Sequence, residues 1–195
     1  MKIDVSMVKH PLTGMSEECG DTGYVKEYDG RCFLALVDVL GHGREAHEVA
    51  EMADHYFSTH YSQDLLAVIT GLHASLKGTR GAVAGVCRLD IESGVLEYSG
   101  MGNISLMIFR GTHKHLLISD GILGYRISTP KQRQEQLYPG DILILSSDGV
   151  KEHYDPSETI GLTMGSAHDI AHRFVETMGK GTDDASCIAL RYGVL

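Results

Sequence analysis

Cysteine is scarce in this chain, and its few copies form no pattern. Cys19, Cys32, Cys87 and Cys187 are scattered with no C-x-x-C pair. That spacing points away from a disulfide framework or a thiolate zinc site and toward buried free thiols in a reducing compartment. Long apolar runs are also missing. The longest aliphatic stretches, such as Leu65–Ile69 and Ile142–Leu145, fall far short of the roughly 20 residues a membrane span needs. Met1–Leu12 mixes Lys2, Asp4 and Lys9 into its apolar residues, unlike a signal peptide. A cytoplasmic location with no membrane partner is expected. Positive charge is in deficit, with 17 Lys and Arg against 26 Asp and Glu and a net charge of −9. Such a chain repels phosphate backbones, so no nucleic-acid partner is expected. A phosphorylated ligand stays admissible if a metal ion carries the positive charge. Proline is rare at 4 of 195 residues, and no repeat, low-complexity tract or linker divides the sequence. One domain spanning 1–195 is expected, at roughly 100–200 residues per domain.

What is present describes a folded protein. The hydrophobic share is 43% and the charged share 22%, ordinary for a globular chain. Glycine, at 23 residues, is overused, as expected where many tight turns join short strands. Ile3–His10 and Thr22–Tyr28 have strand character, and the second should meet Phe33–Val37 through a hairpin turn at Asp29-Gly30. From Glu45 to Tyr61 the apolar residues Ala46, Val49, Ala50, Ala53 and Phe57 recur at helical spacing. A second helix is expected over Asp64–Lys77. Strands follow at Ala82–Asp90, Val95–Ser99, Ile104–Arg110, His115–Ile118 and Ile142–Ser146. A last helix starts near Ser166, where Asp169 completes a capping-box pattern, and a strand over Ala185–Tyr192 closes the chain. Runs of strands separated from runs of helices imply an α+β protein, a two-sheet sandwich of mainly antiparallel strands with helices outside.

Several aspartates sit where apolar strands end, beside glycines or small polar residues. They are Asp38 after Phe33–Val37, Asp148 after Ile142–Leu145, Asp183 before Ala185, and Asp21 opening the second strand. Any single Asp-Gly is ordinarily just a turn, and Asp29-Gly30 and Asp120-Gly121 are read that way. Carboxylates converging from separate strands repel one another, and burial raises their pKa unless a cation joins them. An all-oxygen set suits Mg²⁺ or Mn²⁺ rather than zinc.

Asp38-Val39-Leu40-Gly41-His42-Gly43 resembles the D-V-x-G-H-G signature of the SpoIIE-like bacterial branch of PPM (type 2C) serine/threonine phosphatases. The likeness continues in order through Gly20-Asp21, Arg80-Gly81-Ala82-Val83-Ala84, Gly102-Asn103, Ser147-Asp148-Gly149 and Asp183-Asp184-Ala185-Ser186. It implies a four-layer α-β-β-α sandwich with a dinuclear Mn²⁺ or Mg²⁺ centre at one end of the sheets. By position, Asp38 would bridge both ions and the Val39 carbonyl would bind one. Asp148 and Asp183 would complete the other's protein ligands, and Asp21 would hold water at the centre. Two such cations activate water and clamp the attacking and leaving oxygens of an in-line displacement. The implied substrate is a phosphorylated STAS-domain protein of a stressosome, attacked by a stand-alone, monomeric phosphatase.

The chain also departs from the family pattern. The phosphate-orienting arginine of eukaryotic relatives has no counterpart between Ser16 and Asp21, which would leave phosphate resting on metal and water. Val83 replaces a threonine. Leu40 stands where eukaryotic members place a histidine general acid; His42, two positions on, is read first as a turn or cap residue and second as a proton donor.

Other signals carry little. His168 and His172 sit at i, i+4 on the last helix without the glutamate of a metalloprotease motif, and His47-Glu48-Val49-Ala50-Glu51 lacks its second histidine. His168 and His172 are read as exposed helix residues, and a metalloprotease is excluded at both places. The basic stretch Tyr125–Pro139 is read as a solvated loop, with docking of an acidic phosphoprotein as its functional alternative. Two rival functions stay open at this stage: a non-catalytic phosphoprotein-binding module with a phosphatase fold, and a two-metal phosphohydrolase of a small molecule.

Overall fold

The computed structural model describes residues 1–151 and 161–193. Two five-stranded antiparallel sheets form its centre. One has the order β1-β12-β11-β6-β7, with β1 Ile3–His10, β6 Ser105–Arg110, β7 Thr112–Leu116, β11 Ile142–Ser146 and β12 Ala185–Tyr192. The other runs β10-β5-β4-β3-β2, with β2 Asp21–Tyr28, β3 Arg31–Val39, β4 Ala82–Asp90, β5 Val95–Met101 and β10 Arg133–Gln136. A two-stranded ribbon, β8 Gly121–Ile122 with β9 Arg126–Ile127, forms a third sheet and is tied to the start of β4 by the Ala82–Leu123 bridge.

Side-chain alternation along the strands dictates the layering, because a period of two sends successive residues to opposite faces. On β3, Leu34 and Leu36 join Leu143, Leu145, Ile188 and Leu190 between the sheets. The intervening Phe33, Ala35, Val37 and Val39 face helices α1 (Arg44–His60) and α2 (Leu65–Ser75). On the β1-β12-β11-β6-β7 sheet, Ile144, Cys187 and Ala189 turn outward onto Ile170, Phe174 and Val175 of α3 (Ala167–Met178). The result is an α-β-β-α stack with an apolar layer in each of its three seams.

Local signals decide the element ends. Asp29 and Gly30 both adopt positive φ, 45° and 72°, the backbone of a two-residue hairpin that matches strand twist. Asp64 accepts the Leu66 and Ala67 amides at 2.9 and 3.2 Å and caps α2. Ser166 and Asp169 form the reciprocal capping box of α3. All four cysteines are buried free thiols. Among the described residues no helix is long and apolar enough to cross a membrane.

Two expectations need correction. The strand expected at His115–Ile118 runs instead over Thr112–Leu116, because the chain reverses at Gly111 and folds straight back onto β6, with Thr112 paired to Arg110. The segment Tyr125–Pro139 is not simply a loop. It contains β9 and also β10, whose Arg133–Gln136 pair with Val95–Tyr98 at the edge of the sheet.

Candidate active site

The acids meet at one end of the sandwich, where both central sheets terminate. Asp38 is the penultimate residue of β3, and Asp21, first in β2, is its direct cross-strand partner. From the facing sheet, Asp148 follows β11 and Asp183 precedes β12, adjacent antiparallel strands whose ends are tied by Ser147 and Ser186. The Ser147 amide donates to the Ser186 carbonyl at 3.1 Å, and Ser147 Oγ accepts the Ser186 amide at 3.0 Å. A cavity of about 470 Å³ opens here, its wall containing Asp38, Asp148 and Asp183. Asn103, in the turn after β5, also lines it and donates from Nδ2 to Asp148 Oδ2 at 2.8 Å. Leu40, Val83 and Ile122 give the cavity an apolar side.

Asp21 lies behind this wall rather than on it. It is 1% exposed, and its Oδ2 has no hydrogen-bond partner. Gly20 makes that close packing feasible, since a Cβ there would sit 2.9 Å from the Gly41 carbonyl and 3.1 Å from Ala46 Cβ. Burial pushes the Asp21 carboxyl up to about 6, although the Ser147 and Ser186 hydroxyls oppose the shift. Asp38 is pushed further, to about 8, first by burial and then by the charges of Asp21, Asp148, Asp183 and Asp184. Burial is the larger cause of both shifts, and the neighbouring like charges add to it.

The donor set fits a hard divalent cation. It is all oxygen, it has an orphaned buried carboxylate oxygen at Asp21, and its mutual repulsion calls for positive charge. Among the described residues, no three acidic, histidine or cysteine side chains close into a tight cage. Three of the carboxylates instead line one cavity, and Mg²⁺ is an ion that keeps several waters and takes few carboxylates.

Residues 28–193 match the family described as stage II sporulation protein E (SpoIIE). The chain belongs to the SpoIIE family. It is a PP2C-type phosphatase domain, related to the phosphoserine phosphatase RsbX of Bacillus subtilis (strain 168), with 25% identity over 134 residues, 68% of this chain and 67% of that protein. A solved chain from work on the bacterial stressosome, as a modular system adapted to control secondary messenger signalling, superposes with a TM-score of 0.88 at 30% identity. That superposition covers 98% of this chain and 100% of the other. RsbX in complex with magnesium shares the fold at a TM-score of 0.83 and 22% identity, covering 96% and 94% of the two chains.

Within this SpoIIE-family chain, the structure brings Asp38, Asp148 and Asp183 to one cavity and sets Asp21 against Asp38. Val39 ends β3 beside them, its carbonyl turned toward Gly20, 3.3 Å from where a Cβ would be. His42 is not among the residues lining the cavity. Two further residues escaped the sequence reading. Asp120, taken there as a simple turn residue, lines the cavity because Ser119 bridges to the end of β5 and carries its neighbour inward. Asp184 is a buried anchor whose Oδ1 and Oδ2 accept the Leu12 and Gly20 amides, both at 2.7 Å. The D-D pair was visible in sequence, but its division of labour was not.

Proposed function

We propose that this chain is a Mg²⁺- or Mn²⁺-dependent phosphatase that removes phosphate from serine or threonine of a phosphorylated STAS-domain stressosome protein. The observation that carries the reading is the convergence of Asp38, Asp148 and Asp183 from two different sheets on one cavity, with Asp21 buried behind Asp38. The kinship with RsbX, a phosphoserine phosphatase, and with a stressosome chain supports the substrate class.

In this reading Asp38, the Val39 carbonyl, Asp148 and Asp183 would hold the divalent cations, and Asp21 would orient solvent beside them. When bound, such cations would supply Lewis acidity and positive charge for attack of water on phosphorus. Asn103 fixes the rotamer of Asp148 through its 2.8 Å hydrogen bond. The pairing of Asp38 with Val83 on β4 holds the shared carboxylate at the rim, and the apolar side formed by Leu40, Val83 and Ile122 limits competing solvent.

Phosphate release from a phosphorylated STAS protein tests the assignment. Activity should require Mn²⁺ or Mg²⁺, and Asp38→Asn and Asp148→Asn should each lower it by about 100-fold or more while both variants stay folded. Undiminished turnover in chelator, or in either variant, rules the mechanism out. Phosphoprotein binding without turnover would mark a non-catalytic module, and hydrolysis confined to nucleotides would mark a small-molecule enzyme.

A further inference from the structure

A phosphomonoester dianion approaching this cavity meets carboxylates, an asparagine and apolar groups. None of the described residues lining it carries positive charge. A cation stands immediately behind the rim, however. Arg80, just before β4, sends its guanidinium across the loop that joins β3 to α1. Its Nη1 donates to the His42 carbonyl at 3.3 Å and lies 3.9 Å from Glu45. Its Nη2 lies against Gly41, so close that a Cβ at Gly41 would fall 2.6 Å from it. Gly41 itself lines the cavity and has a φ of 80°. Glycine at this position therefore serves the backbone and also leaves room for the guanidinium behind the cavity wall.

The Arg80 side chain is partly exposed, at 36%. Among the described residues, Nη2 and Nε of Arg80 have no acceptor. The ion pair with Glu45 is long, and the Glu45 side chain is 85% exposed, so water screens it and it holds the arginine only weakly. Arginine presents two parallel N–H groups that match two phosphate oxygens, which a point charge cannot do.

We propose that Arg80 is the phosphate-binding cation of this site, engaging the non-reacting oxygens of the phosphoryl group from the Gly41 side. The proposal rests on the phosphatase reading above. It replaces the expectation that phosphate rests on metal and water alone.

The test uses the full chain loaded with Mg²⁺ and inorganic phosphate as the probe, with binding measured by calorimetry. Arg80→Met should weaken phosphate binding about tenfold or more, the loss expected for charge-assisted hydrogen bonds. It should raise KM for p-nitrophenyl phosphate by a similar factor, with Mg²⁺ affinity and melting temperature unchanged. Arg80→Lys should recover part of the affinity, since it keeps the charge and loses the fork. Unchanged phosphate affinity in Arg80→Met would overturn the proposal. So would a loss that only follows weakened Mg²⁺ binding or a lower melting temperature, which would make Arg80 a clamp on the Gly41–Glu45 loop. A wild-type protein that binds no phosphate and turns over no phosphomonoester would instead sink the phosphatase reading itself, and Arg80's role with it.

Discussion

Asp183 and Asp184 are adjacent in the chain, yet their surroundings are opposite. Asp183 is exposed at the cavity, and its Oδ1 accepts the Asp184 amide at 2.9 Å. Asp184 is buried, and both of its oxygens hold backbone amides from the segment that leads into Asp21. Hydrogen bonds to a charged acceptor contribute about 1.5–3 kcal/mol each, and an amide left buried and unpaired costs more. Asp184→Ala should therefore lower stability by about 2–4 kcal/mol in urea unfolding. Asp183→Asn should leave the unfolding midpoint in place and remove Mn²⁺-dependent phosphatase activity. A harmless Asp184→Ala would show that the anchor to Leu12 and Gly20 is dispensable. The sequence announces a carboxylate pair at this point because a strand start flanked by small residues is a recognisable pattern. It is silent on which member is buried, since that depends on where residues 164 and 172 positions away are brought by the fold.

Among the elements, strong periodicity carried through to the structure and weak periodicity did not. Helix α3 was legible because Ile170, Ala171, Phe174, Val175 and Met178 mark one face and Ser166 marks its start. Ser166→Ala removes the side-chain acceptor for the Asp169 amide and should cost about 1 kcal/mol of stability, measurable as a shift in the denaturant midpoint with kcat unchanged. The ribbon β8–β9 and strand β10 were illegible for a physical reason. Two-residue strands have no period to read, and Arg133-Gln-Glu-Gln136 has no apolar alternation. Its pairing with β5 comes from tertiary placement, including the Leu137 amide donating to Gly94 at 2.8 Å. The ribbon matters to the site because it holds Asp120 and Ile122 on the cavity wall. At Gly121, with φ at 148°, a Cβ would lie 2.7 Å from Ile127 Cα, a backbone atom that cannot swing away. Gly121→Ala should push the two strands apart and raise KM for a phosphoprotein more than it changes the melting temperature. A Gly121→Ala protein with unaltered KM would show that the ribbon does not shape the entrance.

At the scale of the whole molecule, the two sheets gather negative charge at the seam where they end, in a chain whose net charge is already −9. Without cations, that gathering opposes folding in a pH-dependent way. Unfolded aspartate ionises near pH 4, whereas the folded protein keeps Asp21 protonated to about 6 and Asp38 to about 8. Both shifts are upward, so between these limits the folded state binds more protons than the unfolded state, and stability falls as pH rises. Asp90, half-buried, and Asp169, exposed, are shifted downward by hydrogen bonds from Ser93 and Ser166, and their contribution falls below pH 4, outside this window. The melting temperature of the protein in chelator should accordingly decline from about pH 5 to about pH 8.5. Asp38→Asn, which removes the most displaced of the acids, should flatten that decline. Mg²⁺ binds the ionised forms, so the stabilisation it gives should grow across the same interval as protons cease to compete with it. A melting temperature in chelator that stays level or rises from pH 5 to 8.5 would mean that these carboxylates do not repel one another in solution, and a Mg²⁺ effect independent of pH would place the ion elsewhere than among them.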